Sequence, residues 1–283
     1  MRRVGEVDYM QTVAESFDVS AWKVYPYQQQ WLNTPERGVP FIDKARSLGI
    51  GVIAAHRGIS QNGDYLSAGS PRDLVEAASL HPDMLFLAYH SGWERDSDEN
   101  HPYDPMVDPA ELRGVDRFVR AMEEFSLPAN GSNVYAELGS TWHNLRSSPE
   151  QAAHALGKLL RFVGEDRVIY GTDSVFTGTP EGQIAALRAF QIPEPLREMY
   201  GYPEITPELR RKILGLNAAP IYGVDPMEVR CAFGNDEIEG MRMAYLDDPR
   251  SVDMPHPDKY LGPKTRRDFF AFLRAERRDH ELG

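Results

Sequence analysis

The feature that most constrains this chain is a series of short apolar runs, each carrying or followed by one polar residue and set apart by helix-start signals. The runs are Ala21–Tyr25, Gly51–Ala55, Met84–Tyr89, Val134–Leu138 and Val168–Tyr170. Their hydrophobicity is continuous rather than alternating, as in strands buried on both faces, and such strands are parallel. The polar residues that mark the strand ends are Lys23, His56, His90, Glu137 and Asp173, at intervals of 33, 34, 47 and 36 residues. A (β/α)8 barrel uses about 31 residues per unit, roughly 250 over eight. The spacing therefore predicts a barrel-type α/β fold, with an open doubly wound sheet as the alternative.

The segments between the runs carry explicit helix starts. Ser70-Pro71, Asp108-Pro109, Ser148-Pro149, Thr179-Pro180 and Thr206-Pro207 each place an N-cap oxygen before a proline. The oxygen accepts from an orphan N–H, and proline has none to leave unpaired. Asp108 with Glu111, and Ser148 with Gln151, have capping-box spacing. After Asp108, residues Leu112, Val115, Phe118, Val119, Met122 and Phe125 mark one apolar helical face. Parallel strands need such crossovers. Beyond about residue 218 no strand-like run follows; Asp247-Asp248-Pro249 and Met254–Asp258 read as loop, and Phe269–Leu273 as a helix packed on the body. The predicted division is 1–225 for the barrel portion and 226–283 for a helical C-terminal extension.

Composition excludes several classes. A chain of 283 residues that is 41% hydrophobic supports a packed core. Its net charge of −12 disfavours nucleic acid and anionic membrane surfaces, which require clustered Lys and Arg. The single cysteine, Cys231, closes no internal disulfide. No run of about 18 apolar residues is present, and the first residues turn acidic where a signal peptide turns apolar. The expected location is the cytoplasm. No phosphate-binding glycine loop and no Gly-x-Ser-x-Gly elbow is found.

In parallel α/β folds ligands meet the carboxyl ends of the strands. Three ends there carry groups that bind a metal or move a proton: His56, His90 and Asp173. Imidazole with carboxylate suits zinc or a similar divalent ion. Alone, each histidine reads more readily as a hydrogen-bonded structural residue, and Asp173 equally as a turn cap; it is three at equivalent positions that predict one shared site. Lys23 reads as a substrate-facing cation or an ordinary ion-paired lysine. Glu137, with Ser140 and Thr141, reads as a substrate contact or as strand-end solvation. Arg57, Tyr27 and Trp93 are placed on the same rim, Trp93 as an apolar wall. His143 is the one spare histidine near it.

These segments resemble the amidohydrolase-related family of metal-dependent hydrolases and decarboxylases. The residues that carry the likeness are Ala21–Pro26, Phe41–Gly49 leading to His56, Tyr89-His90-Ser91-Gly92, Asn133–Glu137, Asp166–Asp173 and Lys212–Gly223. The likeness covers about residues 10 to 225. It implies an amidohydrolase (β/α)8 TIM barrel, seen over about its fourth to eighth strands. It also implies that His56 is the fifth-strand metal ligand and His90 the sixth-strand histidine that holds water or substrate. Asp173 is then the eighth-strand carboxylate, which ligates metal and takes a proton from bound water. The implied cofactor is a divalent metal, zinc with manganese as the alternative, and the implied partner is a small-molecule substrate; a homo-oligomer is left open.

One departure stands out. The family's first strand supplies a His-x-His pair, and the eight histidines here, at 56, 81, 90, 101, 143, 154, 256 and 280, contain none. The expectation is an N-terminally incomplete version of a longer enzyme, with an incomplete ligand set. The leading function is hydrolysis of a small C–N or C–O bond by metal-activated water. The alternatives are non-oxidative decarboxylation of an aromatic or unsaturated acid, and a catalytically silent fragment.

Overall fold

The structure, a computed structural model, describes residues 6–25, 31–59, 69–177, 180–232 and 237–247. Five strands form one parallel sheet in the order in which they occur: β1 (Trp22–Val24), β2 (Val52–His56), β3 (Leu85–Tyr89), β4 (Val134–Glu137) and β5 (Val168–Ile169). All five apolar runs are strands to within a residue or two. Each strand is added on the same side of the one before it. A doubly wound sheet reverses direction at a switch point; the described strands do not, and their order is that of a barrel wall.

Alternation along the strands assigns two faces. Ile53, Ala55, Phe86, Ala88, Val134, Ala136 and Val168 pack into the main core with the helices, among them Leu74, Val75, Phe118, Val119, Leu156 and Leu159. The opposite face carries Val52, Ala54, Leu87, Tyr135 and Ile169, and Ile221 packs on it. Two asparagines close the amino-terminal edge of the sheet. Asn133 Nδ2 donates to the carbonyls of Ala78, His81 and Met84 at 2.8–3.1 Å, and Asn217 Nδ2 to those of Glu165 and Val168, both at 2.8 Å.

The helix starts follow the cap signals with informative exceptions. The helix Pro149–Phe162 begins at its proline, though the Ser148 side chain makes no cap hydrogen bond, and Thr206 accepts from the Leu209 N–H at 3.1 Å ahead of the helix Pro207–Arg211. The helix predicted from Pro109 begins instead at Val115 and runs to Glu124. Asp108 caps only a turn, accepting from the Ala110 N–H, and Gly114 lies at φ 52°. The Val115 N–H is taken by the Glu99 carboxylate at 3.0 Å, a cap supplied from outside the helix. Gln151 does not reach back to Ser148 as a capping box requires; its oxygen accepts from the Glu99 N–H. The predicted apolar stripe is buried from Leu112 to Met122. The Thr179 cap, the Met254–Asp258 loop and the Phe269–Leu273 helix lie outside the described residues.

Glu99 belongs to a buried charged cluster. Lys158 is fully buried and donates to Glu99 at 2.6 Å and to Asp116 at 2.7 Å. Burial pushes the Asp116 carboxyl above its usual range despite the neighbouring ammonium. The cluster joins the segment after β3 to the helices Val115–Glu124 and Pro149–Phe162. The described residues of 1–172 and 181–223 form one compact unit; those of 173–180 and 224–283 form a second, with helices Ser174–Thr177, Pro226–Ala232 and Glu237–Asp247. Among the described residues no helix is long and apolar enough to cross a membrane.

Two outcomes follow from the buried charges. Lys158→Met leaves two carboxylates buried without their cation, so unfolding by urea is expected to show a loss of about 3–5 kcal/mol. Burial, and then the charge of Lys158, hold the His154 imidazole below its ordinary pKa. Below about pH 6.5 the unfolded chain binds a proton there that the folded chain refuses, so stability falls as pH drops through that range. Melting curves of His154→Gln are expected to lose part of that acid slope.

Candidate active site

The register of the sheet sets His56 beside Tyr89 and Tyr89 beside Glu137, while Lys23 lies beside Ala54, two residues before His56. Lys23, His56, Tyr89 and Glu137 therefore belong to the same sheet face. A continued strand would send His90 to the opposite face. The backbone instead turns left-handed at His90 (φ 69°) and Ser91 (φ 51°), and the His90 ring meets that of His56, with centroids 4.5 Å apart and planes at 70°. Residues of this kind rarely adopt such φ values, and clusters of them mark functional sites. Ile59 after β2 (φ 23°) and Ser140 after β4 (φ 57°) extend the pattern along the same edge.

Hydrogen bonding fixes the ring protons. His90 Nδ1 lies 2.5 Å from the Gly139 carbonyl, and His56 Nε2 lies 2.9 Å from the Ile59 carbonyl. A carbonyl oxygen only accepts, so these two nitrogens carry the hydrogens, an assignment made from the partners. In neutral rings the remaining nitrogens, His90 Nε2 and His56 Nδ1, then face one another as lone pairs 3.0 Å apart. Facing lone pairs repel, and at this distance a shared proton removes the conflict; a divalent ion, about 2.0–2.1 Å from each nitrogen, would sit to one side of the line that joins them. Metal-binding histidines tie their outer nitrogen to a carbonyl or carboxylate in this way. The pair thus fits a borderline divalent ion in donor type and in the tautomer its outer hydrogen bonds select. Among the described residues no group of three or more His, Cys, Asp or Glu side chains gathers as a metal cluster.

The other predicted residues are placed as follows. The Lys23 ammonium sits 3.2 Å from the Tyr89 ring centroid and 5.0 Å from that of Tyr25, whose ring in turn lies 5.6 Å from His56. Burial, with a hydrogen bond to Tyr222, pushes the Tyr89 hydroxyl far above its ordinary pKa, so it stays protonated. Asp173 belongs to the second unit; it is exposed, at φ 52°, and its carbonyl accepts from the Thr177 N–H and hydroxyl. His143 sits beside Arg146 at 3.4 Å, its pKa lowered by burial. Tyr27 lies outside the described residues.

Two rim assignments need correction, and Glu137 takes the second of its two readings, the solvation of a strand end. Arg57 is 0% exposed and cannot face a substrate: it makes a two-pronged ion pair with Asp73 at 2.7 and 2.9 Å and donates to the His56 carbonyl at 2.8 Å. Asp73 also accepts the N–H groups of Trp31 and Leu32. Trp93 is no wall of an open site; it is buried in the main core. Glu137 points both oxygens at backbone donors, the N–H groups of Gly139 and His90. Thr141, which the sequence reads as a substrate contact or as strand-end solvation, donates its hydroxyl to the His90 carbonyl at 2.8 Å. The sequence signal for these supports was slight: the glycine two residues after Glu137 and the Ser-Gly pair after His90.

The family model described as Amidohydrolase matches residues 8–224, and the chain belongs to that family. No curated protein matches the sequence. Among solved structures it is similar to a Pseudomonas putida protein provisionally assigned as 2-pyrone-4,6-dicarboxylic acid hydrolase, at 18% identity and TM-score 0.45, over 79% of this chain and 70% of that one. It is also similar to 5-carboxyvanillate decarboxylase from Sphingomonas paucimobilis, at 14% identity and TM-score 0.44, over 77% of this chain and 63% of that one. A third is the 5-carboxyvanillate decarboxylase from Novosphingobium aromaticivorans in complex with manganese and 4-hydroxy-3-methoxy-5-nitrobenzoic acid, at 13% identity and TM-score 0.46, over 77% of this chain and 60% of that one. The chain thus spans 60–70% of the length of these proteins.

Breaking the Arg57 ion pair is expected to act on stability first. Arg57→Met leaves Asp73 a buried charge without its cation, and denaturant unfolding should register a loss of about 3–5 kcal/mol.

Proposed function

We propose that this protein is a metal-dependent hydrolase that cleaves a small C–N or C–O bond with metal-activated water. The observation that supports the reading best is the pair of imidazole nitrogens, His56 Nδ1 and His90 Nε2, turned towards each other at 3.0 Å with both outer nitrogens tied to carbonyls. The metal would be held by these two histidines, zinc or manganese suiting nitrogen donors. When bound, such an ion supplies a water whose pKa is lowered towards neutrality. The resemblance alone assigns Asp173 as a further ligand and as the base that takes the proton from that water. Lys23, a cation on the His56 face of the sheet, suits a small substrate bearing a negative charge. Its ammonium is held over the Tyr89 ring, which fixes the position of the charge.

Titration calorimetry with zinc and with manganese on the purified chain tests the metal. One ion per chain is expected, with affinity reduced in His56→Ala and in His90→Ala by at least the roughly 10–100-fold that loss of a mere supporting group costs. Lactones and amides bearing a carboxylate are the substrates to assay, with Asp173→Asn expected to abolish turnover. Carbon dioxide released from aromatic carboxylic acids, in place of hydrolysis, would transfer the protein to the decarboxylases of its family. Absence of metal binding would mark a catalytically silent chain.

A further inference from the structure

We infer that Glu137 is a positioning residue: its carboxylate sets the left-handed turn of His90 and with it the ring orientation and tautomer of that histidine. The inference uses the site described above, and its consequence for metal affinity rests on the proposed metal-dependent function.

Each oxygen of the Glu137 carboxylate accepts from a backbone N–H. Its Oε2 accepts from the His90 N–H at 3.2 Å and its Oε1 from the Gly139 N–H at 2.8 Å. Gly139 then offers its carbonyl to His90 Nδ1 at 2.5 Å. One side chain on β4 thus fixes both the peptide that carries His90 and the loop whose oxygen selects the His90 ring proton. Two hydroxyls tie the same loops: Ser91 Oγ donates to the Glu137 carbonyl and Thr141 Oγ1 to the His90 carbonyl, each at 2.8 Å.

Steric room says the same. A Cβ on Gly171 would lie 1.6 Å from Glu137 Oε1, and one on Gly139 would lie 2.6 Å from it. Both glycines leave space that the carboxylate fills, and neither position has a left-handed φ that would call for glycine on its own account. The glycine of Gly171-Thr172-Asp173 is therefore explained by Glu137. Left-handed residues other than glycine persist when their surroundings over-determine them, and at His90 and Ser91 the surroundings are this carboxylate and the two hydroxyl ties. Glu137 is buried, and both of its oxygens accept from backbone N–H groups, as a positioning role requires.

Imidazole nitrogen NMR on metal-free protein tests the inference at about pH 8, above the ordinary histidine pKa of about 6.5. In the unsubstituted protein His90 should be the Nδ1–H tautomer; finding Nε2–H would overturn the inference without any variant. In Glu137→Gln one backbone N–H meets an NH2 group in place of an oxygen. His90 should then become a mixture of tautomers and zinc affinity should fall by about 10–100-fold. Gly171→Ala keeps the charge but displaces the carboxylate, and should give the same two changes; it decides the matter should Glu137→Gln fail to fold. A folded variant with the His90 signals unchanged would overturn the inference. The expected tautomer shift in a protein that binds no zinc would sustain the positioning role and refute the metal-dependent reading.

Discussion

Every polar group at the carboxyl edge of this sheet has to be satisfied where the strands stop, because the strands are buried and unmade hydrogen bonds there are costly. The protein meets that constraint with charged side chains aimed at the backbone. Glu137 takes two N–H groups from the ends of β3 and β4, and Arg57 donates to the carbonyl that closes β2 while bound to Asp73. The two histidines are thus each held through their own backbone by a buried charged residue. Ring geometry at the candidate site depends on these ties, and so does the left-handed path that lets His90 turn back towards His56.

The sheet was legible because its signal is local and chemical. Runs such as Val52–Ala55 and Leu85–Tyr89 are apolar throughout, which only strands covered on both faces tolerate, and their period matched a barrel wall. The helix from Val115 was legible as an apolar stripe but not in its start, since the group that caps it is Glu99, sixteen residues away. A cap supplied across the fold leaves no mark in the residues beside the helix.

The candidate site was legible in part. His56 and His90 could be paired because each follows an apolar run in a parallel sheet, and family resemblance added their expected roles. What the sequence could not convey was direction. Arg57 follows His56 and so alternates into the helix layer, where Asp73 neutralises it. Trp93 leaves the His90 turn towards the core. Glu137 faces the right side of the sheet but lies within reach of two N–H groups, which a carboxylate satisfies before it meets any ligand. Rim position in sequence and exposure at the rim are separate properties, and the second is decided by backbone turns that single residues do not announce.

Asn133 and Asn217 seal the opposite edge with their side-chain amides, binding five carbonyls between them at the amino ends of β3, β4 and β5. Those stitches are remote from the histidines and owe nothing to the loops that follow the strands. Fastening is thereby divided from chemistry: one border of the sheet keeps the scaffold aligned, and the other can be rewritten by exchange of its loops. A lineage built this way can drift from one small molecule to another without renegotiating how its strands are joined.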